Sequence, residues 1–273
     1  MLRVGIAFFS GTGNTWRMAQ QYADAFSWHG HHAELLPMED LVRANDFSWY
    51  VKYDLIGLAY PIHAWGPPRL VDTCWKQLPY YQDKRVFLLL TSAGNVGGAI
   101  DNARHRCNHL GYQLVHSAHF YTGSFYLDKV FRQQTDRERL RHIQWCDTEA
   151  WEAVSEILED AERDHWASDG IRLASTVWSK AYRAFCSHVH RWFSVSDDCD
   201  QCGLCIASCP TDNIWKEDGR IQFGQRCTLC LRCVGVCPQA AISVRHLTQD
   251  AGGALAPGFR GYLRRRIRTR SED

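Results

Sequence analysis

Arg3-Val4-Gly5-Ile6-Ala7-Phe8-Phe9-Ser10-Gly11-Thr12-Gly13-Asn14-Thr15 is the stretch on which the fold turns. Val4, Ile6, Phe8 and Phe9 form an apolar run suited to a buried strand. The run passes straight into a loop of hydroxyls, glycines and one amide. Met18, Tyr22, Ala25 and Phe26 then recur as one face of a helix. Strand, glycine-rich loop and helix together make an anion site, because loop N–H groups and the helix dipole converge on a phosphate. The loop lacks Gly-Lys-Ser/Thr, which argues against a Walker A nucleotide site. Trp16 stands where a dinucleotide fingerprint needs its third small residue, which argues against a Rossmann turn. The hydroxyls of Ser10, Thr12 and Thr15 and the Asn14 amide are neutral donors, suited to a monophosphate.

Further apolar runs extend the pattern. Leu55, Ile56, Leu58 and Ala59 lead into Tyr60-Pro61-Ile62-His63-Ala64-Trp65-Gly66, and Val86 to Leu90 lead into Thr91-Ser92-Ala93-Gly94 and a glycine-rich continuation. Weaker strands are expected over Ala33–Leu36 and Tyr112–His119, with helices between, one carrying Ile100, Ala103, Cys107 and Leu110 on a single face. Alternating strands and helices predict a parallel, doubly wound sheet, with the ligand at the carboxyl ends of its strands. The loops after Phe9, Tyr60 and Thr91 should converge there.

The C-terminal part carries a different signal. Cys199, Cys202, Cys205 and Cys209 precede Pro210, and Cys227, Cys230, Cys233 and Cys237 precede Pro238. Each run reads C-x2-C-x2-C-x3-C-P, the ligand spacing of a bacterial two-cluster 4Fe-4S module, in which the fourth cysteine of each run serves the other cluster. The expected sets are therefore Cys199, Cys202, Cys205 and Cys237, and Cys227, Cys230, Cys233 and Cys209. Zinc usually takes C-x2-C pairs rather than two such triplets, and a disulfide framework belongs to oxidising compartments.

The phosphate loop resembles that of flavodoxins, Ser/Thr-x-Thr-Gly-Asn-Thr, and Trp65-Gly66 resembles their tryptophan-glycine ring loop. With the cysteine runs, residues 1–247 resemble the flavodoxin–ferredoxin fusion proteins. The resemblance implies a flavodoxin-like five-stranded α/β domain with FMN, and a small α+β ferredoxin domain with two 4Fe-4S clusters. FMN would be held by Ser10 to Thr15, by Tyr60, Pro61, His63, Ala64, Trp65 and Gly66, and by Thr91, Ser92, Ala93 and Gly94. Trp65 would stack on or edge the ring, with Tyr60 or His63 in reserve. The third loop has no aromatic between Thr91 and Ile100, which leaves one ring face open.

The organisation read from the chain is a flavodoxin-like domain over 1–165, an amphipathic linker helix over 166–195, a ferredoxin domain over 196–247 and a basic tail over 248–273. Residues 124–146 read as an elaboration, either a flap over the flavin or a solvated helix. Thr148 reads as the cap of the first domain's last helix, with Ala150, Val154, Ile157, Leu158 and Ala161 facing inward. In the linker, Ala174, Trp178, Ala181, Phe185, Val189 and Trp192 are expected to pack against the domains; a basic amphipathic helix can also lie on a membrane. The arginine-rich tail reads as a solvated end, or as a dock for an acidic redox partner or anionic membrane.

A length of 273 residues suits one flavodoxin-sized and one small domain, and a net charge of +1 gives no general attraction to nucleic acid. Of the 12 cysteines, Cys74, Cys107, Cys146 and Cys186 remain outside the runs and read as small apolar residues. No secretory leader or membrane span is expected, and cysteine use suits a reducing cytoplasm. His29, His31, His32, His105, His109, His116 and His119 are assigned no metal. The function expected is electron transfer between the clusters and FMN, as an oxidoreductase with a redox-protein partner and, in one version, a small-molecule acceptor. The alternative is a carrier or relay subunit of a larger enzyme.

Overall fold

The computed structural model describes residues 1–122, 136–161, 169–245 and 255–270. Among these, the chain divides into two compact units. The first holds 1–10, 15–122, 136–161 and 169–181; the second holds 11–14, 182–245 and 255–270.

The first unit alternates strand and helix: β1 (Arg3–Phe8), α1 (Asn14–Trp28), β2 (His32–Pro37), α2 (Met38–Ala44), β3 (Leu55–Pro61), α3 (Arg69–Gln77), β4 (Lys84–Ser92), α4 (Ala99–His109), β5 (Tyr112–Tyr121) and α5 (Asp136–Leu158). The five strands form one parallel sheet in the order β2-β1-β3-β4-β5. β1, β3 and β4 are buried along nearly their whole length, which is why they read as unbroken apolar runs rather than alternating ones. Tyr22, Phe26 and Phe87 cluster beneath the sheet, with ring centroids 5.5 and 5.9 Å from Phe87. Each such aromatic buries a large apolar area, and the cluster anchors α1.

Several expectations need correction. Thr148 lies inside α5, where its hydroxyl donates to the Gln144 carbonyl at 3.2 Å, so it caps nothing. Ala150, Val154 and Ile157 face inward as expected, joined by Cys146, but Ala161 lies past the helix end and is exposed. Within the elaboration 124–146, residues 124–135 lie outside the described residues, and 136–146 belong to α5.

The linker differs more. Its helix, α6 (Asp169–Cys186), ends sooner than expected, and Val189–Trp192 form a separate 3-10 turn. The inward seam of α6 is small and polar: Ser175, Ser179 and Cys186 are buried. The Ser175 Oγ accepts the Gly98 N–H at 2.8 Å, and the Thr176 hydroxyl donates to Asn102 at 3.1 Å. Those bonds turn the apolar face outward: Leu173, Val177, Trp178 and Phe185 are exposed.

The second unit contains β6 (Phe193–Val195), α7 (Leu204–Ser208), β7 (Ile214–Glu217), β8 (Arg220–Phe223), α8 (Arg232–Val236), β9 (Ile242–Val244) and α9 (Phe259–Arg270). β6 pairs with β9 and β7 with β8, both antiparallel. The two halves repeat residue for residue. Gln201, Gly203 and Asp212 take left-handed backbone in the first, and Leu229, Leu231 and Ala240 do so in the second. Leucine in that conformation is costly, by about 1–2 kcal/mol each, and the surroundings must impose it. The tail reading also changes: residues 259–270 form α9, whose Phe259 and Leu263 are buried. The Arg260 guanidinium donates to the Gly235 carbonyl at 2.8 Å, and Arg232 stacks over the Phe259 ring.

Candidate cofactor sites

In the first unit, three loop stems are stitched together. The Phe9 N–H donates to the Ala59 carbonyl at 2.9 Å, and the Ile62 N–H donates to the Thr91 carbonyl at 2.7 Å. The buried hydroxyls of Thr15 and Thr91 share a hydrogen bond of 2.8 Å, tying the first turn of α1 to the end of β4. Ser10 is buried at the end of this path.

His63 and Gly66 exchange both backbone hydrogen bonds, at 2.9 and 3.1 Å, around Ala64 and Trp65, whose φ values are 46° and 62°. This is a type I′ turn, normally given to Asn-Gly. The strained turn fixes the direction of the Trp65 side chain. A Cβ on Gly97, itself at φ 53°, would lie 2.8 Å from the Trp65 ring, so the indole rests against the third loop. That loop is folded by its own side chains. The Ser92 hydroxyl donates to the Gly94 carbonyl at 2.6 Å and meets His119 Nε2 at 2.8 Å, and the Asn95 carboxamide oxygen accepts the Gly97 N–H at 2.6 Å. Pro61, Ala93 and Gly94 are half-buried along these loops.

Tyr60, held in reserve as a ring partner, is fully buried, edge-on to Trp75 at 6.5 Å, so its side chain does not face the loops. Burial pushes its phenol well above the usual range. Trp65 is the aromatic left exposed there. Sequence reasoning missed His119 and Ser175, which fix the third loop through bonds to distant segments and leave no local signal.

The loop Gly11–Asn14 belongs to the second unit. There the Ala256 N–H donates to the Thr12 carbonyl at 2.7 Å. Gly13 has φ 103°, and a Cβ on it would meet Phe259 and Ala256 at 2.7–2.8 Å. A Cβ on Gly11 would lie 2.3 Å from the Cys230 carbonyl oxygen. Both positions exclude any larger residue, because Cys230, Ala256 and Phe259 pack directly against the backbone of the loop.

Four of the run cysteines, Cys202, Cys205, Cys227 and Cys233, have raised thiols, with other run cysteines among the causes. Burial pushes the Cys205 thiol up to about 11, with Cys237, Cys199 and Cys202 adding repulsion. For Cys202, the Leu204 N–H favours the thiolate, but burial, Asp200 and Cys237 together raise the thiol. Burial lifts Cys227 to about 12, with Cys230 and Cys209 contributing. Cys233 is raised well above its ordinary value by burial, then by Cys230, Cys227, Cys209 and Cys205. Cys237 thus adds repulsion at Cys202 and Cys205, and Cys209 adds it at Cys227 and Cys233, while Cys205 also acts on Cys233.

Four thiols gathered this way repel as thiolates unless a cation neutralises them, and a bound metal reverses that balance. Among the described residues no three His, Cys, Asp or Glu side chains close on a single-ion site. The sulfurs also receive backbone donors: Asn213 N–H to Cys209 Sγ, Ala241 N–H to Cys237 Sγ and Leu229 N–H to Cys227 Sγ, each at 3.3 Å. The donor set therefore fits iron–sulfur clusters. A cavity of about 650 Å³, lined in part by His190, Arg191, Cys199 and Arg220, opens beside the first triplet.

Cys74, Cys107, Cys146 and Cys186 are buried. Burial raises Cys74 and Cys107 to about 12 and Cys146 to about 11, consistent with small apolar roles. No described helix is long and apolar enough to cross a membrane.

No family model matches the chain, and no curated protein does. Among solved structures it is similar to the two-electron-reduced flavodoxin of Megasphaera elsdenii, at 22% identity over 55% of this chain and 99% of that one, with a TM-score of 0.39. It is also similar to oxidised flavodoxin 2 from Bacillus cereus, at 18% identity over 56% and 98%, with a TM-score of 0.41. Rubredoxin oxygen:oxidoreductase from Desulfovibrio gigas matches at 14% identity and a TM-score of 0.40; the alignment takes in 58% of this chain but only 36% of that longer one. The strand order itself carries the assignment: a parallel β2-β1-β3-β4-β5 sheet with flanking helices makes the first unit a flavodoxin-like α/β domain.

Proposed function

We propose that the protein is an electron-transfer flavo-iron-sulfur protein, holding FMN with the loops after β1, β3 and β4 and two 4Fe-4S clusters with the crossed cysteine sets. The observation that carries this reading is the doubled C-x2-C-x2-C-x3-C-P spacing, with the same left-handed backbone at Gln201, Gly203 and Asp212 in one run and at Leu229, Leu231 and Ala240 in the other. FMN accepts one or two electrons and each cluster one, so their combination links two-electron and one-electron partners.

The chain's own residues supply position and tuning. Loop N–H groups and the N-terminus of α1 would hold the phosphate. Trp65, fixed by its I′ turn, would flank the ring and exclude water from one side. The donors from Asn213, Ala241 and Leu229 to sulfur favour added negative charge on the thiolates and so shift potential upward. Electrons would pass to and from a partner redox protein. A second reading, turnover of a small acceptor, is favoured by the cavity beside Cys199, whose size suits a small molecule.

The test is an anaerobic stepwise redox titration of purified protein, followed by visible and EPR spectroscopy, with iron and flavin quantified. The reading requires about eight irons and one FMN per chain, and electrons shared between them. Iron without flavin, or flavin without iron, defeats it.

A further inference from the structure

The outward face of α6 has no role in either cofactor site. On a helical wheel, Leu173, Val177, Ala181, Ala174, Phe185 and Trp178 occupy one continuous apolar arc of about 140°. Leu173 is 67% exposed, Val177 62% and Trp178 59%. The arc cannot roll inward, because the opposite seam is held by Ser175 and Thr176. Lys180, which is exposed, stands at one border of the arc, and no acidic residue follows Asp169 in the helix.

We propose that α6 is a membrane-surface helix that seats the protein on anionic lipid. An apolar face carrying Trp, Phe, Leu and Val, with a cation at its edge, matches the boundary between acyl chains and headgroups. The face runs along about 20 Å of a helix about 10 Å wide, a few hundred Å² at most. That is well below the roughly 800 Å² per partner of a stable protein interface. A single helix face is convex, and a planar lipid surface meets it without a groove.

The experiment is flotation of the full-length holoprotein with vesicles of phosphatidylcholine alone or mixed with phosphatidylglycerol. Flotation with the mixed vesicles, weakened by added salt, is expected. Leu173→Glu/Val177→Glu should lower the partition coefficient by at least about tenfold. Lys180→Ala should lower it about fivefold, the value of one cation near an anionic surface. Brominated lipid should quench fluorescence in the wild type and quench it less in Trp178→Phe. Iron and flavin content should match in all variants, since the changed side chains are exposed. The proposal is overturned if the wild type does not float, or if the double variant floats equally well. It is also overturned if sedimentation shows a second copy covering this face, with the double variant dissociating the dimer.

Discussion

The two units stand on different foundations. The first buries Phe8, Phe9, Tyr22, Phe26, Phe87 and three nearly wholly apolar strands. The core of the second is short of such groups and is built around Cys205, Cys209 and Cys233, with Ile214, Ile221, Val234, Ile242 and Val244 beside them. A large apolar core holds without a cofactor; a small one centred on thiols would gain from a metal that offsets chain entropy. The difference separates a fold that would hold a cofactor from one that a cofactor would hold.

The largest expected effect is therefore iron removal. Anaerobic chelation should unfold the second unit and leave the first intact, seen as protease cleavage at the Gly11–Asn14 loop and beyond Tyr182 but not within the parallel sheet. Iodoacetamide at pH 8 should then label the run cysteines but spare Cys74 and Cys107, whose buried thiols near 12 stay protonated. Cleavage throughout the chain would erase the contrast.

Cys233→Ala comes next: it should cost about four irons per chain while flavin content holds, as measured by metal and flavin analysis. Gly13→Ala should do the reverse and abolish flavin retention, since φ 103° and contacts of 2.7–2.8 Å leave no space for a methyl group. Equal loss of both cofactors in either variant would show that the sites do not load separately. The smallest effect belongs to Ala64→Gly, which relieves left-handed strain and should stabilise the first unit by about 1 kcal/mol in thermal unfolding.

What the sequence reveals follows the range of the interactions. The phosphate loop and cysteine runs are legible because their spacing is local, and β1, β3 and β4 because burial on both faces demands apolar runs. The direction in which α6 faces is not legible. Amphipathicity identifies an apolar face, but the bond from Gly98 to Ser175 decides which face turns in, and it joins segments far apart in the chain. Tyr60 fails as a ring partner for a similar reason, since Trp75 claims it from another helix. Thr148 has the composition of a cap but sits within α5, whose start lies upstream. The tail's arginines suggest a loose end, yet Phe259 and Leu263 dock its helix.

The polar seam of α6 makes that helix a brace. Ser175 grips Gly98, and a side chain on Gly97 would strike both Ser175 and the Trp65 ring. Gly97 and Gly98 thus sit between the inward seam of α6 and the Trp65 indole. Removing the Ser175 hydroxyl would loosen the loop behind that indole, while a change on the outward face of the helix would leave it in place.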